Sequence, residues 1–341
     1  MRLLAALERR EMDRPPIWFM RQAGRYLPEY RELRAEHSFE EAMSTPEIAA
    51  EITLQPLRRY SLDAAIVFSD IMTPLIGMGV GIEFRPGPKL SPMTVEQVAG
   101  LGPLDPEAVG FVAATIARVR STVDREVAVI GFAGGPVTLL AYLLEGGGSK
   151  HFPRFREGLH HPQVSEALSV LASSMHRYLE SQIDGGADVV QLFDSWAGLL
   201  SRDTFRRLAL PAAHDTLAGL GVPTMYFVPG GPHLLETLPA VEATGYGVDW
   251  RLPLDEAWQR LGEEHVIQGN LDPGVLLSSP ETVRTAVGNV LAAAGGRPGH
   301  VFNLGHGILP GTPVANVEAM VDAVITAAPS LAETRERTTT R

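Results

Sequence analysis

Two arginines stand four apart in Arg21-Gln22-Ala23-Gly24-Arg25. A guanidinium stays charged in a protein and can grip a carboxylate or phosphate through two parallel hydrogen bonds. If this segment is helical or tightly turned, both arginines project to one side, and Gly24 lets a ligand come close to the backbone. The other reading is a surface pair satisfied by Glu29 or Glu32. Asp70 closes the apolar run Ala64-Ala65-Ile66-Val67-Phe68-Ser69. A carboxylate at the end of a buried strand must find donors or hold its proton more tightly. It either caps the next helix or serves as a counter-ion or proton-transfer group. His306, flanked by Gly305 and Gly307, is a structural histidine or one with a ligand beside it. Tyr142 reads as core or as site, and Ser195 as a helix cap or a ligand contact.

Several chemistries are excluded. The chain has no cysteine, which removes disulfides, thiolate nucleophiles, iron–sulfur clusters and every zinc site that needs a Cys ligand. Its ten histidines show no His-x-x-x-His or His-Glu-x-x-His spacing, so no metal is expected. The adjacent His160 and His161 precede a proline and read as a loop that starts a helix. Gly146-Gly147-Gly148-Ser149-Lys150 lacks the phosphate-loop pattern, and Gly77-Met78-Gly79-Val80-Gly81 is too weak a glycine pattern for a nucleotide.

With 29 Lys+Arg against 40 Asp+Glu, the formal net charge is −11, which argues against nonspecific nucleic-acid binding. No run approaches the ~18 apolar residues of a membrane span, and the N-terminal apolar run is too short for a signal peptide. A cytoplasmic, soluble protein is expected. At 341 residues, 45% apolar and 20% charged, the chain suits two ordinary domains or one large α/β barrel.

The elements that would position these side chains favour the barrel. Candidate strands are Pro16–Met20, Ala64–Ser69, Val127–Phe132, Asp188–Phe193, Pro223–Val228, Tyr246–Trp250, His265–Gly269 and His300–Leu304. Most are rich in Val, Ile or Phe without strict alternation, as strands buried on both faces of a parallel sheet read. Between them lie helical patterns. Val164, Leu168, Leu171, Met175, Leu179 and Ile183 form one stripe that stops at Asp184-Gly185-Gly186. Thr45-Pro46, Ser279-Pro280 and Thr312-Pro313 each set a capping hydroxyl before a proline at the first helical position.

The pattern predicts an α/β fold of the (β/α)8 TIM-barrel type, a single domain over residues 1–332 with a frayed tail from Glu333 to Arg341. The glycine run at Gly146–Ser149 is the nearest thing to an internal linker. A doubly wound sheet is the alternative, weakened by the lack of a G-x-G-x-x-G turn after the first strand. In a barrel the active site collects at the carboxyl ends of the strands, where Arg21, Asp70, Ser195 and His306 fall.

Four motifs carry a resemblance. The run Pro16-Ile17-Trp18-Phe19-Met20-Arg21-Gln22-Ala23-Gly24-Arg25-Tyr26-Leu27-Pro28-Glu29-Tyr30 resembles, almost letter for letter, the N-terminal signature of the uroporphyrinogen decarboxylase family. Gly131 to Leu139, continuing to Tyr142 and Glu145-Gly146, is similar to the second signature. Leu54 to Tyr60 with Asp63 to Ile71, and Asn303 to Ile308 with Pro310, match as well.

The resemblance implies a barrel, usually a homodimer, that removes carbon dioxide from the four acetate side chains of uroporphyrinogen III. Coproporphyrinogen III results, on the route to haem, with no metal or organic cofactor. By motif, substrate binding falls to Arg21, Gln22, Ala23, Gly24 and Arg25, with Asp70, Tyr142, Ser195 and His306; Phe39 is a weaker candidate for an apolar contact. The sequence departs where Val137 replaces a usual Trp and Gly135 a common Ala, changes that alter cleft packing but remove no ionisable group.

Residue chemistry agrees with that expectation. A substrate with eight carboxylates needs local cations in an acidic protein, and Arg21 and Arg25 supply them. Loss of CO2 needs an electron sink, which a protonated pyrrole provides. Its cation calls for a fixed negative charge, a role that suits Asp70, with Arg21 as the second catalytic candidate. The residue types leave the proton donor open. Two alternatives remain: a zinc-type corrinoid or coenzyme M methyltransferase, which the missing cysteine disfavours, and a noncatalytic tetrapyrrole-binding protein.

Overall fold

Apolar runs without polar alternation have no face to offer water, and here they line up side by side. The computed structural model describes residues 1–84 and 87–327. Among them seven strands form one parallel sheet: β1 (Ala64–Ile66), β2 (Ala128–Gly134), β3 (Val189–Phe193), β4 (Thr224–Phe227), β5 (Gly245–Gly247), β6 (Val266–Leu271) and β7 (His300–Leu304). The strands follow one another in chain order from β1 to β7. A doubly wound sheet reverses its order at a switch point, so that alternative is excluded.

β7 has its expected bounds, and β2, β3, β4 and β6 each begin one residue later than expected. β1 stops at Ile66 rather than Ser69 because the next amides turn elsewhere. Val67 still donates to Ile130 O at 3.0 Å, but Phe68 donates to the Thr53 hydroxyl at 2.9 Å. β5 is Gly245–Gly247, not Tyr246–Trp250.

The expected first strand, Pro16–Met20, is not a strand. It makes a single parallel bridge, Ile17 to Phe302. Proline removes donors at positions 15 and 16, and side chains take over part of the pairing. Asp63 accepts from Ile17 N at 2.7 Å, and Asn303 Oδ1 from Met20 N at 3.1 Å. Main-chain bonds complete the attachment: Phe302 N to Pro16 O and Asp63 N to Ile17 O at 2.9 Å, Ile308 N to Met20 O at 3.0 Å, and a long one from Trp18 N to Phe302 O at 3.5 Å. The segment thus contacts β7 on one side and the start of β1 on the other. Its Trp18 indole donates to Gln268 on β6 at 3.0 Å, and Gln268 donates to Gln191 on β3 at 3.1 Å.

Helices separate the strands. Pro46–Arg59 precedes β1, and Gly110–Thr122 lies between β1 and β2. Pro136–Glu145 and Val164–Asp184 follow β2, Leu210–Leu217 follows β3, and Leu254–Leu261 follows β5. Pro280–Ala294 and Val314–Thr326 follow β6 and β7. The expected stripe forms the buried face of Val164–Asp184, and the left-handed residue after it is Gly186 (φ 105°). Ser279 caps as expected, accepting from Thr282 N with Pro280 first in the helix. Thr45 occupies the cap position before Pro46 without a side-chain bond. Thr312 misses it: the helix starts at Val314 with Pro313 as its cap, and the Thr312 hydroxyl is buried without a partner. Gly146 (φ 79°) ends Pro136–Glu145, so the glycine run begins as a helix terminus.

No helix among the described residues is long and apolar enough to cross a membrane. The expected tail, Glu333 to Arg341, lies outside the described residues.

Asp63 fastens the segment at residues 16–20. Its carboxylate meets Arg14 at 2.6 and 3.1 Å, and the two side chains are 9% and 11% exposed. Removing one partner of a buried pair strands the other charge. Asp63→Ala is therefore expected to lower unfolding free energy by about 3–5 kcal/mol, read from urea denaturation.

Candidate functional site

Arg21 takes a left-handed backbone conformation (φ 63°), unusual for a residue with a side chain. Its neighbours hold it there. Gln22 N donates to Phe19 O at 3.1 Å, and Ile308 N donates to Met20 O at 3.0 Å. The Gln22 side chain is fully buried; it accepts from Phe19 N at 3.3 Å and donates to Ala64 O at 3.0 Å. Gln22 thus holds the turn through its side chain rather than facing a ligand. The segment is a turn, not a helix. A Cβ on Gly24 would lie 2.9 Å from Arg21 O, so the space that its bare backbone leaves is taken by the turn. Ala23 is half-buried beside it.

Arg21 and Arg25 are both exposed, and neither guanidinium makes a hydrogen bond or ion pair. The surface-pair reading fails here: Glu29 is taken by Arg59 at 2.5 Å, and that bond holds its carboxyl below the usual range.

Asp70 follows β1 and does not cap the next helix, whose cap position is held by Met72. Oδ1 accepts from Met72 N at 2.8 Å at the start of the helix Thr73–Gly77. Oδ2 makes no hydrogen bond within the chain. Burial pushes the carboxyl pKa up, opposed by the Met72 N–H and by the positive charge of Arg21. Near it lies the buried Tyr178; burial pushes this phenol up and the Asp70 charge adds to the shift, opposed by the Ser69 and Thr73 hydroxyls.

His306 follows β7, within electrostatic reach of Arg21. Burial holds its imidazole below the ordinary value, and the charges of Arg21 and Arg251 push the same way, against Asp249. It is therefore neutral at pH 7. The flanking glycines serve protein contacts rather than a ligand. A Cβ on Gly307 would lie 2.6 Å from the Arg21 side chain, and one on Gly305 2.5 Å from Trp250 N. Glycine on both sides lets Arg21 and the end of β5 close in on His306.

Tyr142 sits on Pro136–Glu145. Its phenol is pushed up by burial, and it lies within electrostatic reach of Asp70 and Arg21. Its ring centre is 6.1 Å from that of Trp196, which in turn lies 4.6 Å from Phe152. Ser195 caps nothing: the short helix Ala197–Leu199 begins from Trp196, and the Ser195 hydroxyl makes no hydrogen bond within the chain. Phe39 packs on Phe68 at 5.7 Å, two residues before Asp70. Val137 is fully buried in the apolar core.

Two features escaped the sequence reading. Asp194 is fully buried at the end of β3 and accepts from Thr138 N (2.9 Å), the Thr138 hydroxyl (2.7 Å) and Tyr226 (3.0 Å). The Thr138 hydroxyl also accepts from Trp196 N at 3.0 Å, so this carboxylate positions the Trp196 side of the cleft. A Cβ on Gly135 would lie 2.3 Å from the Asp194 carboxyl carbon, which gives this departure a contact to serve. The other feature is Asp249-Trp250-Arg251 beyond β5. Its available signal was a charged residue closing an apolar run, the same signal that marked Asp70. Among the described residues no group of three or more His, Cys, Asp or Glu could hold a metal ion.

The family model described as Uroporphyrinogen decarboxylase (URO-D) matches residues 1–327. Relatives bearing that name include one from Alkalilimnicola ehrlichii, 45% identical over 95% of this chain and 93% of its own length. Another, from Carboxydothermus hydrogenoformans, is 42% identical over 94% and 95%. Among solved structures, a methyltransferase from Methanosarcina mazei superposes with a TM-score of 0.82 at 22% identity, over 95% of this chain and 97% of that one. That likeness speaks to fold alone.

The Asp194 carboxyl is pushed up to about 6, chiefly by burial, against the donors from Thr138 and Tyr226. A raised folded pKa means that the folded state binds the proton more tightly. The contribution of this group to stability is therefore present below the unfolded value near 4 and is lost as pH rises through about 6. Asp194→Asn should remove that loss: relative to the unsubstituted chain it gains on the order of 2 kcal/mol between pH 4 and 7. Denaturant titrations across that range measure it.

Proposed function

This chain belongs to the uroporphyrinogen decarboxylase family, and from that premise we propose how its cleft takes carbon dioxide from the four acetate side chains of uroporphyrinogen III to give coproporphyrinogen III in haem biosynthesis. One observation carries the assignment of residues. Arg21, with no acidic partner, lies within electrostatic reach of Asp70, whose Oδ2 accepts no hydrogen bond from the chain. A free guanidinium and a free carboxylate oxygen are complementary to a molecule that bears carboxylates at its rim and pyrrole N–H groups at its centre.

In this reading Asp70 Oδ2 accepts the pyrrole N–H groups. A proton adds to the ring carbon next to the acetate-bearing carbon, and the pyrrole becomes a cation that the Asp70 charge stabilises. The bond between the acetate methylene and its carboxylate then breaks. Its electron pair enters the ring, CO2 leaves, and an exocyclic methylene remains. A second proton adds to that methylene, the ring proton is lost, and a methyl group results; the net step consumes one proton. Arg21 positions the acetate and assists proton delivery. Arg25 holds a second carboxylate, and the main chain from Gln22 to Gly24 borders the substrate. Neutral His306, Tyr142 and Ser195 orient side chains or water. The ring is its own electron sink, so this route calls for no cofactor.

The same reading makes residues 16–20 the eighth stave of a closed (β/α)8 barrel, supported by their main-chain bonds to both Asp63 and Phe302. It takes residues 1–332 as one catalytic domain, with a homodimer and a cytoplasmic location as the family resemblance implies.

The deciding experiment is anaerobic incubation with uroporphyrinogen followed by chromatography. Stepwise seven-, six-, five- and four-carboxyl porphyrinogens are expected; substrate that is bound and returned unchanged would instead mark a tetrapyrrole carrier. Asp70→Asn should lower turnover by at least about 10²–10³ while leaving the chain folded, since burial already disfavours the charged form. Turnover like that of the unsubstituted chain would overturn the role of Asp70.

A further inference from the structure

We propose that Arg251 is a third cationic contact of the cleft, binding a side-chain carboxylate of the substrate next to His306. This inference rests on the decarboxylase reading above and extends it to a specific residue.

The geometry is that of a guanidinium held ready. Its carbon lies 4.4 Å from the centre of the Trp250 ring, a stacking distance at which an arginine is attracted to the indole face. Nη1 meets Asp249 Oδ2 at 2.5 Å. Asp249 is itself fixed by two amides: Gly230 N donates to Oδ2 at 2.5 Å, and Arg251 N donates to Oδ1 at 2.9 Å. The burden is uneven. The Asp249 side chain is 3% exposed, whereas that of Arg251 is 49% exposed. The aspartate is spent on holding the arginine, while Nε and Nη2 of Arg251 make no hydrogen bond within the chain.

Location completes the argument. Residues 249–251 follow β5, at the same end of the sheet as Asp70 after β1 and His306 after β7. The Trp250 ring meets the His306 imidazole edge-on at 6.3 Å, and the charge of Arg251 reaches that imidazole. A free surface arginine loses much rotamer freedom on gripping an anion, and one already clamped between a carboxylate and an indole loses less. A substrate with eight carboxylates offers more anions than Arg21 and Arg25 can meet, and Arg251 approaches from another wall.

The test compares the unsubstituted chain with Arg251→Met, Arg251→Gln and Arg251→Lys. Two quantities are read: KM for anaerobic decarboxylation of uroporphyrinogen, and the dissociation constant of oxidised uroporphyrin from fluorescence quenching, which needs no turnover. Met and Gln should weaken both by about tenfold, with a smaller fall in kcat, and Lys should restore part of the loss. KM and dissociation constants within twofold of the unsubstituted chain in both Met and Gln would overturn the proposal. A fall in kcat and melting temperature with KM unmoved would overturn it too, since that marks a structural role. If Arg251→Met does not fold, the double substitution Asp249→Asn with Arg251→Gln, which leaves no stranded charge and keeps one of the two main-chain bonds, takes its place. An unsubstituted chain that binds uroporphyrin but turns over nothing defeats the decarboxylase reading, and the quenching titration still decides on Arg251. Turnover with both constants unmoved by the substitutions defeats this inference alone.

Discussion

A residue with a side chain held at φ 63° costs free energy, of the order of 1–3 kcal/mol for such sparsely populated conformations. At Arg21 that cost is met by an unusual density of neighbouring bonds. Met20 is tied to β7 through the Asn303 side chain, Gln22 is tied to β1 through Ala64, and the Tyr26 hydroxyl closes onto Gln22 O at 2.9 Å. The turn is thereby fixed from both edges of the sheet, and its guanidinium lies against Gly307 without an acidic partner. Asp70, His306 and Tyr142 all feel that one charge.

The electrostatics follow from what is withheld. In a chain with a formal net charge of −11, an arginine ordinarily finds a carboxylate close by. Here Glu29 is claimed by Arg59 and Asp63 by Arg14, both reachable from the same N-terminal region. Arg21 and Arg25 are left without internal partners, and Asp70 keeps one oxygen free. Burial raises the energy of that carboxylate's charged form, so a cationic ring at the site gains more than it would in water.

Much of this was legible in the sequence. Apolar runs without alternation predict the seven strands of the sheet, because strands covered on both faces need no polar positions. Pro16–Met20 carries the same apolar pattern without forming a strand: Pro15 and Pro16 lack the donors for a ladder, and Asp63 and Asn303 supply bonds that no local pattern reveals. The cleft residues were found where polar side chains end apolar runs. The roles of Gly305, Gly307 and Gly24 were not, since close packing by Arg21 and Trp250 depends on chain segments far apart in sequence. Asp194 and Asp249 carried the same signal as Asp70 and were passed over. One lies fully buried under Trp196 and the other clamps Arg251, and neither arrangement can be told from the runs that precede them.

The Pro16–Met20 segment is attached by a few bonds where its neighbours have full ladders, so it is a seam. Opening it would carry Arg21 and Arg25 away from Asp70 together, so that attachment of this segment and assembly of the site are one event. Linkage then runs in both directions. A polyanion bound to the two arginines adds its binding free energy to the seam, and a chain with its seam open lacks those two cations at the site. Whatever binds those two arginines also fastens the segment that carries them.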